Sequence, residues 1–136
     1  MVKFYSCIED EKLKFAVVFA KSDGKFVLCK HKMRDTLEFP GGHRELNEFI
    51  VDTAKRELKE ETGAKDLTLE PVCIYGAKEG DGEKTYGMLC VADITSFEPF
   101  DSEIEKIVIT DTLTQNWTYP TIQPYLFKEL KRRNLV

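Results

Sequence analysis

Three glutamates define the chemistry this sequence can support: Glu57, Glu60 and Glu61, within the run Arg56-Glu57-Leu58-Lys59-Glu60-Glu61. On a helix turning about 100° per residue, placing Glu57 at zero puts Glu61 near ~40° and Glu60 near ~300°, so all three share one sector. Val51, Ala54 and Leu58 fall at roughly 60–120°, a core stripe beside that sector, while Asp52, Lys55 and Lys59 take the far side. Like charges three and four residues apart repel by a few tenths of a kcal/mol when exposed, and by more as they lose water. A hard divalent cation reverses the sign of that interaction, and oxygen-only ligation suits Mg²⁺ or Mn²⁺. Just upstream, Pro40-Gly41-Gly42 lets the backbone approach a ligand closely. Taken alone, the acidic run also has a plainer reading: a solvated helix in which Arg56 pairs with Glu60 at i,i+4.

Two further groups of residues have types that suit a phosphorylated ligand. Lys30, His31, Lys32 and Arg34 form a basic cluster upstream of the glycine pair, and Lys30 and His31 are candidates for binding outer phosphates. Asn116-Trp117-Thr118-Tyr119-Pro120 offers aromatic surface for stacking a base, or for packing the last helix. His43 reads as a solvated loop residue.

The elements that must position these residues are legible from periodicity and turn signals. Short Val/Ile/Phe-rich runs predict strands over Lys14–Ala20 and Lys25–Lys30, joined by a hairpin at Ser22-Asp23-Gly24. Leu37–Pro40 predicts a brief extended piece that breaks at Pro-Gly-Gly. A helix is expected over Phe49–Thr62, closed by Gly63 as a left-handed cap. Thr68–Ala77 and Thr85–Asp93 predict a second strand pair around the turn-rich Lys78–Gly82, with a further strand at Lys106–Thr110. Pro120–Arg133 predicts a closing helix, with Ile122, Leu126, Phe127 and Leu130 at helical spacing. Strands on both sides of one central helix, plus a terminal helix, imply an α/β fold in which helices flank a mixed sheet.

At 136 residues the chain is expected to form one domain over residues 1–136, and its 42% apolar and 32% charged content is that of a globular protein. A net charge of −4 argues against an extended nucleic-acid surface, though not against a small phosphorylated ligand. No apolar run approaches a membrane span, so no membrane partner is expected. Cys7, Cys29, Cys73 and Cys90 form no CxxC pair, and three of them sit in strand-like segments. Reduced, buried thiols in a cytoplasmic protein are the expectation.

The whole segment from Gly42 to Ala64 resembles the Nudix box, the signature of the Nudix hydrolase family. Gly42, five residues, Glu48, seven residues, then Arg56, Glu57, Leu58, Glu60, Glu61, Gly63 and Ala64 fill every defined place of that pattern. Leu37–Gly41 also resembles the family's usual approach to the box. The resemblance implies an α/β/α sandwich with a central mixed sheet. It implies hydrolysis of a diphosphate linkage in a nucleotide-like substrate, assisted by Mg²⁺ or Mn²⁺. By likeness, Glu57 and Glu61 are the principal metal ligands, with Glu60 a further ligand or base and the Gly41 carbonyl completing the site. Glu48 and Arg56 are implied to form a structural ion pair that holds the loop on the helix. A downstream acid, Glu103 with Glu105 as its neighbour, matches the place where relatives carry another ligand or base.

Subgroup flags outside the box are missing: there is no SQPWxFPxS array, and Gly80 stands sixteen positions past the box, where some subgroups show Pro or Tyr. By elimination the expected substrate is a (deoxy)nucleoside triphosphate or an oxidised nucleotide such as 8-oxo-dGTP, giving monophosphate and pyrophosphate. ADP-ribose or nucleotide-sugar hydrolysis is the alternative. A nucleotide-binding module without turnover and a diphosphate isomerase using Cys73 or Cys90 are the competing classes. Monomer and homodimer are both compatible with the apolar residues of the last helix.

Overall fold

The computed structural model describes residues 2–78 and 81–136; Gly80, and with it the subgroup position past the box, lies outside them. Along the chain come β1 (Lys3–Tyr5), a short 3-10 turn (Asp10–Lys12), β2 (Leu13–Ser22), β3 (Lys25–His31) and β4 (Gly41–His43). They are followed by α1 (Ile50–Thr62), β5 (Ala64–Ala77), β6 (Thr85–Phe97), β7 (Ile104–Thr110) and α2 (Gln123–Arg132). The strands form one mixed sheet in the order β1-β5-β6-β2-β3-β7, with β4 paired to β2. Among these described strands only β2 and β6 run parallel, with Ala16 opposite Met88; the other pairs are antiparallel.

Alternation along β2 builds both layers of the core. Ala16, Val18 and Ala20 face one side and pack with Ile50, Ala54 and Leu58 of α1. Val17 and Phe19 face the other, with Phe39, Leu89 and, from α2, Leu126 and Leu130. Each strand buried on both faces reads as a continuous apolar run, as Ala16–Ala20 does. The result is the α/β/α sandwich that the strand–helix order implied.

The local signals explain most element ends. Asp23 and Gly24 take φ of 52° and 77°, closing the β2–β3 hairpin with two left-handed residues. Gly63 ends α1 at φ 74°, its amide bonded to the Lys59 carbonyl.

Several expectations shift. The three-residue β1 lies in a stretch read only as a charged start; it is an edge strand in which the strand-favouring Phe4 and Tyr5 pair with Ile74–Gly76. Strand β5 starts at Ala64 rather than Thr68, because pairing with β6 carries the β-poor Lys65-Asp66 along through register shifts. The glycines after Pro40 do not end the extended piece: Gly41, Gly42 and His43 pair with Val17, Ala16 and Phe15. Helix α2 begins at Gln123, not Pro120, since Pro124 suits a first helical turn and restricts the residues before it.

Candidate active site

Helix α1 presents its acids as the wheel placed them, at the margin of the buried face. Glu61 is buried, Glu57 half-buried and Glu60 exposed, while Ala54 and Leu58 are fully enclosed. Strand β4 lies against this helix, and two close approaches fix the relation. The Gly41 amide donates to Glu61 Oε1 at 2.9 Å. A methyl group on Gly42 would stand 2.5 and 2.6 Å from the two Glu57 carboxylate oxygens, so a side chain there would push the carboxylate aside. Between Gly41 and the helix the recorded contact is thus the amide.

Arg56 is the hub of the loop. Its Nε lies 2.7 Å from Glu48 Oε2 and 2.8 Å from Glu45 Oε1; its Nη1 lies 2.8 Å from Glu57 and 3.3 Å from Glu60. Its Nη2 donates to the His43 carbonyl at 3.0 Å. The i,i+4 pair with Glu60 is therefore present as one contact among several. Thr53 Oγ1 donates to Glu48 Oε1 at 2.6 Å, and Arg44 Nε to the Glu48 carbonyl at 2.6 Å, so Glu48 is held from three sides. The Arg56 guanidinium, first among these partners, holds the Glu48 carboxyl down at about 2. Glu45, Arg44 and Thr53 carry no signal in the sequence beyond falling at the box's undefined positions.

The carboxylates of this site lie in one another's field. Burial raises Glu61 to about 8, against the pull of the Gly41 hydrogen bond, and the charges of Glu57, Glu38 and Glu103 add to the rise. Glu57 is also raised, mainly by burial, with Glu60 and Glu103 contributing and Arg56 opposing. Among the described residues no three His, Cys, Asp or Glu side chains are already gathered around one point. The donor set nonetheless fits a hard divalent cation: it is all oxygen, partly dehydrated and mutually repelling. Glu38 is an acid that sequence reasoning did not single out. It is buried beside Cys29, paired to Arg34 at 3.2 Å, and its backbone bridges to β3.

A cleft of about 520 Å³ opens beside β4. Phe15, Phe39, Tyr75 and Tyr119 give it aromatic walls, Gly41 and Gly42 form its edge toward α1, and Gln123 and Glu38 reach it from within. That volume suits a small ligand. Trp117, partly buried, packs against the second core layer, 6.0 Å from the Phe39 ring, whereas Tyr119 reaches the cleft.

Other candidates fall elsewhere. Among the described residues, neither Lys30 nor His31 lines the cleft. The Lys30 ammonium is turned to Glu105 at 3.2 Å, because β3 and β7 are neighbours, and His31 Nδ1 accepts the Met33 amide. Of that basic cluster Arg34 comes nearest, lying over the Tyr119 ring at 5.9 Å. Glu103, just before β7, bonds through its carbonyl to the Lys32 amide, and its charge reaches both Glu57 and Glu61. Cys29, Cys73 and Cys90 are buried free thiols and Cys7 an exposed one. Burial pushes Cys90 up to about 12 and Cys73 upward as well, and neither lines the cleft, so nothing favours a cysteine-based isomerase.

Residues 11–121 match the family described as NUDIX domain. The chain belongs to the Nudix family. Its similarities run the same way. It is 42% identical over 57 residues to YtkD of Bacillus subtilis (strain 168), a candidate 8-oxo-dGTP diphosphatase by its name; the match covers 42% of this chain and 35% of that one. The Nudix fold here superposes on the crystal structure of a mutant of the Bacillus subtilis pyrophosphohydrolase BsRppH with a TM-score of 0.79 and 25% identity, covering 97% of this chain and 90% of that one. A NUDIX hydrolase from Nitrosomonas europaea gives a TM-score of 0.73 at 20% identity, with 90% of each chain covered, a likeness of fold. No helix of the described residues is long and apolar enough to cross a membrane.

Proposed function

We propose that this Nudix protein is a single-domain hydrolase of (deoxy)nucleoside triphosphates, oxidised ones such as 8-oxo-dGTP included, releasing monophosphate and pyrophosphate. The observation that carries the reading is that Gly41 and Gly42 edge an aromatic-walled cleft and on their other side meet Glu61 and Glu57, which do not themselves line it. The name of YtkD favours a nucleoside triphosphate over ADP-ribose or a nucleotide sugar.

Glu57 and Glu61, with Glu60, would hold Mg²⁺ or Mn²⁺, and the Gly41 carbonyl is a further candidate donor. Such an ion supplies charge neutralisation on the diphosphate oxygens and lowers the pKa of an attacking water. The chain's own residues do the rest. Arg56, braced by Glu48, keeps the acidic face of α1 against β4. Glu60 takes the water's proton, with Glu103 the second candidate for that task. The aromatic walls offer stacking surface to a base. Buried free thiols accord with a reducing cytoplasmic setting.

The test is turnover of a panel of nucleoside triphosphates, 8-oxo-dGTP, ADP-ribose, nucleotide sugars and dinucleoside polyphosphates, with Mg²⁺, Mn²⁺ or chelator, beside Glu61→Gln. Metal-dependent hydrolysis of the triphosphates that is lost in the variant supports the reading. Turnover confined to another class overturns the substrate. Tight nucleotide binding with no turnover of any class makes the protein a binding module.

A further inference from the structure

We infer that Gln123 is a positioning residue of the hydrolytic site, acting through the backbone of Phe39 on the Gly41 amide that holds Glu61. The inference rests on the hydrolase reading for its kinetic consequence but not for its geometry. Gln123 opens α2, on the opposite face of the sheet from α1, and its side chain is only 3% exposed. Its Oε1 accepts the Phe39 N–H at 2.8 Å, and its Nε2 donates to the Phe39 carbonyl at 3.4 Å.

A side-chain amide that both accepts from and donates to one residue's peptide groups stands in for a neighbouring strand. The segment needs such a substitute. Glu38 exchanges backbone hydrogen bonds with Cys29 of β3, at 2.7 and 3.1 Å, which leaves the next residue facing away from that strand. Without Gln123 the Phe39 amide and carbonyl would be buried without partners, and each would carry the desolvation cost of an unsatisfied group. Beyond Phe39, the Pro40 carbonyl accepts from Val18 at 2.8 Å, and Gly41 donates to Glu61. The chain of contacts therefore runs from α2 through Phe39 and Pro40 to the carboxylate on α1, crossing the sheet. Gln123 also lines the cleft, so the same side chain touches the ligand space and the frame of the acidic site.

The variant that isolates this role is Gln123→Met, which keeps length and volume and removes both hydrogen bonds. Leu130→Ala, a fully buried position on the same helix, serves as the control for loss of packing. Amide hydrogen exchange at Gly41 is read by NMR in all three proteins, and kcat and KM are measured on the substrate of the wild-type enzyme. The expectation is that Gln123→Met speeds Gly41 exchange by at least about tenfold and lowers kcat by a similar factor with KM little changed, while Leu130→Ala does neither. Unchanged Gly41 protection in Gln123→Met, or equal loss of it in Leu130→Ala, overturns the inference. Should the wild type hydrolyse nothing in the panel, the hydrolase reading fails, and the exchange data still decide whether Gln123 controls the Gly41 contact.

Discussion

The carboxylate of Glu57 rests on the Cα of Gly42, with no room for a Cβ between them. Strand β4 meets helix α1 there through the Glu57 side chain, and the position of that acid is thereby tied to the register of a three-residue strand. Gly42→Ala should swing Glu57 aside and leave the core layers intact. A displacement of about 1 Å at a reacting site can cost on the order of 10²-fold in rate. The expected outcome is a loss of kcat of that order with a small change in Tm, read by metal-saturated kinetics and by thermal melting.

Glu48 is joined to Arg56, Thr53 and the Glu45 amide at once. Glu48→Gln keeps the shape but weakens the ion pair, and leaves Arg56 to the remaining acids. A destabilisation of about 1.5–3 kcal/mol is expected, from the worth of hydrogen bonds to charged groups. Thermal melts and a Mg²⁺ titration of activity check it: both Tm and apparent metal affinity should fall. An unchanged metal affinity would show that the bracing of the loop does not reach Glu57.

Acid should loosen the fold through two carboxylates. The Glu48 carboxyl is held at about 2 chiefly by Arg56, and the Glu129 carboxyl at about 2 by Arg132 and then Arg133. Because their folded values lie below the ordinary 4.5, their stabilisation is present above pH 4.5 and is lost as pH falls toward 2. Glu129→Gln should flatten the fall in Tm over that window. Arg132 is largely exposed, so the Glu129 contribution should also shrink in high salt. A Glu129→Gln melt that tracks wild type from pH 5 to pH 2 would count against it.

Glu61 works in the opposite sense. Burial, reinforced by Glu57, Glu38 and Glu103, lifts its carboxyl from 4.5 to about 8, so the folded chain keeps a proton that the unfolded chain releases. Metal-free protein should therefore lose stability as pH rises from 4.5 toward 8, and Glu61→Gln should be the more stable of the two at pH 8 in chelator. Added Mg²⁺ should restore wild type and not the variant. Melting curves across pH, with and without Mg²⁺, carry the test; a variant that melts below wild type in chelator at pH 8 contradicts it.

The proton acceptor is separable by substitution. A general base contributes about 10²–10⁴-fold, so Glu60→Gln should lose kcat by that much, and Glu103→Gln by less than about tenfold. The reverse ranking would move the role to Glu103. Tm should barely change in either case, since both side chains are exposed.

The placement of the acids on α1 is more legible in the sequence than the element boundaries. The wheel for Glu57, Glu60 and Glu61 needs only helical period and an apolar stripe, both local properties. The hub at Arg56 was partly legible: Glu48 stands at a fixed place of the box, whereas Glu45 comes near only because the loop from Gly42 to Phe49 curls back. Long-range pairing accounts for the rest. Lys3–Tyr5 is too short for Phe4 and Tyr5 to mark a strand by themselves, and nothing local extends β5 back to Ala64; their partners on β5 and β6 do so. Lys30 looked free to meet a phosphate because its neighbour across the sheet, Glu105, lies far along the chain. Gln123 and Glu38 gave no signal, since a buried amide or acid declares itself only once its partners are placed.

The parallel pair at the middle of the sheet also sets the order in which the protein can assemble. Strand β2 lies between β3 and β6, and β6 is made only after β4, α1 and β5 have emerged. A ribosome thus releases the whole box before the strand that completes its support exists. Folding has to close that long loop before the contacts reward it, so slow, cooperative refolding on a scale of about milliseconds to seconds is expected. The acidic helix and its loop are thus synthesised before the strand that pairs in parallel with β2.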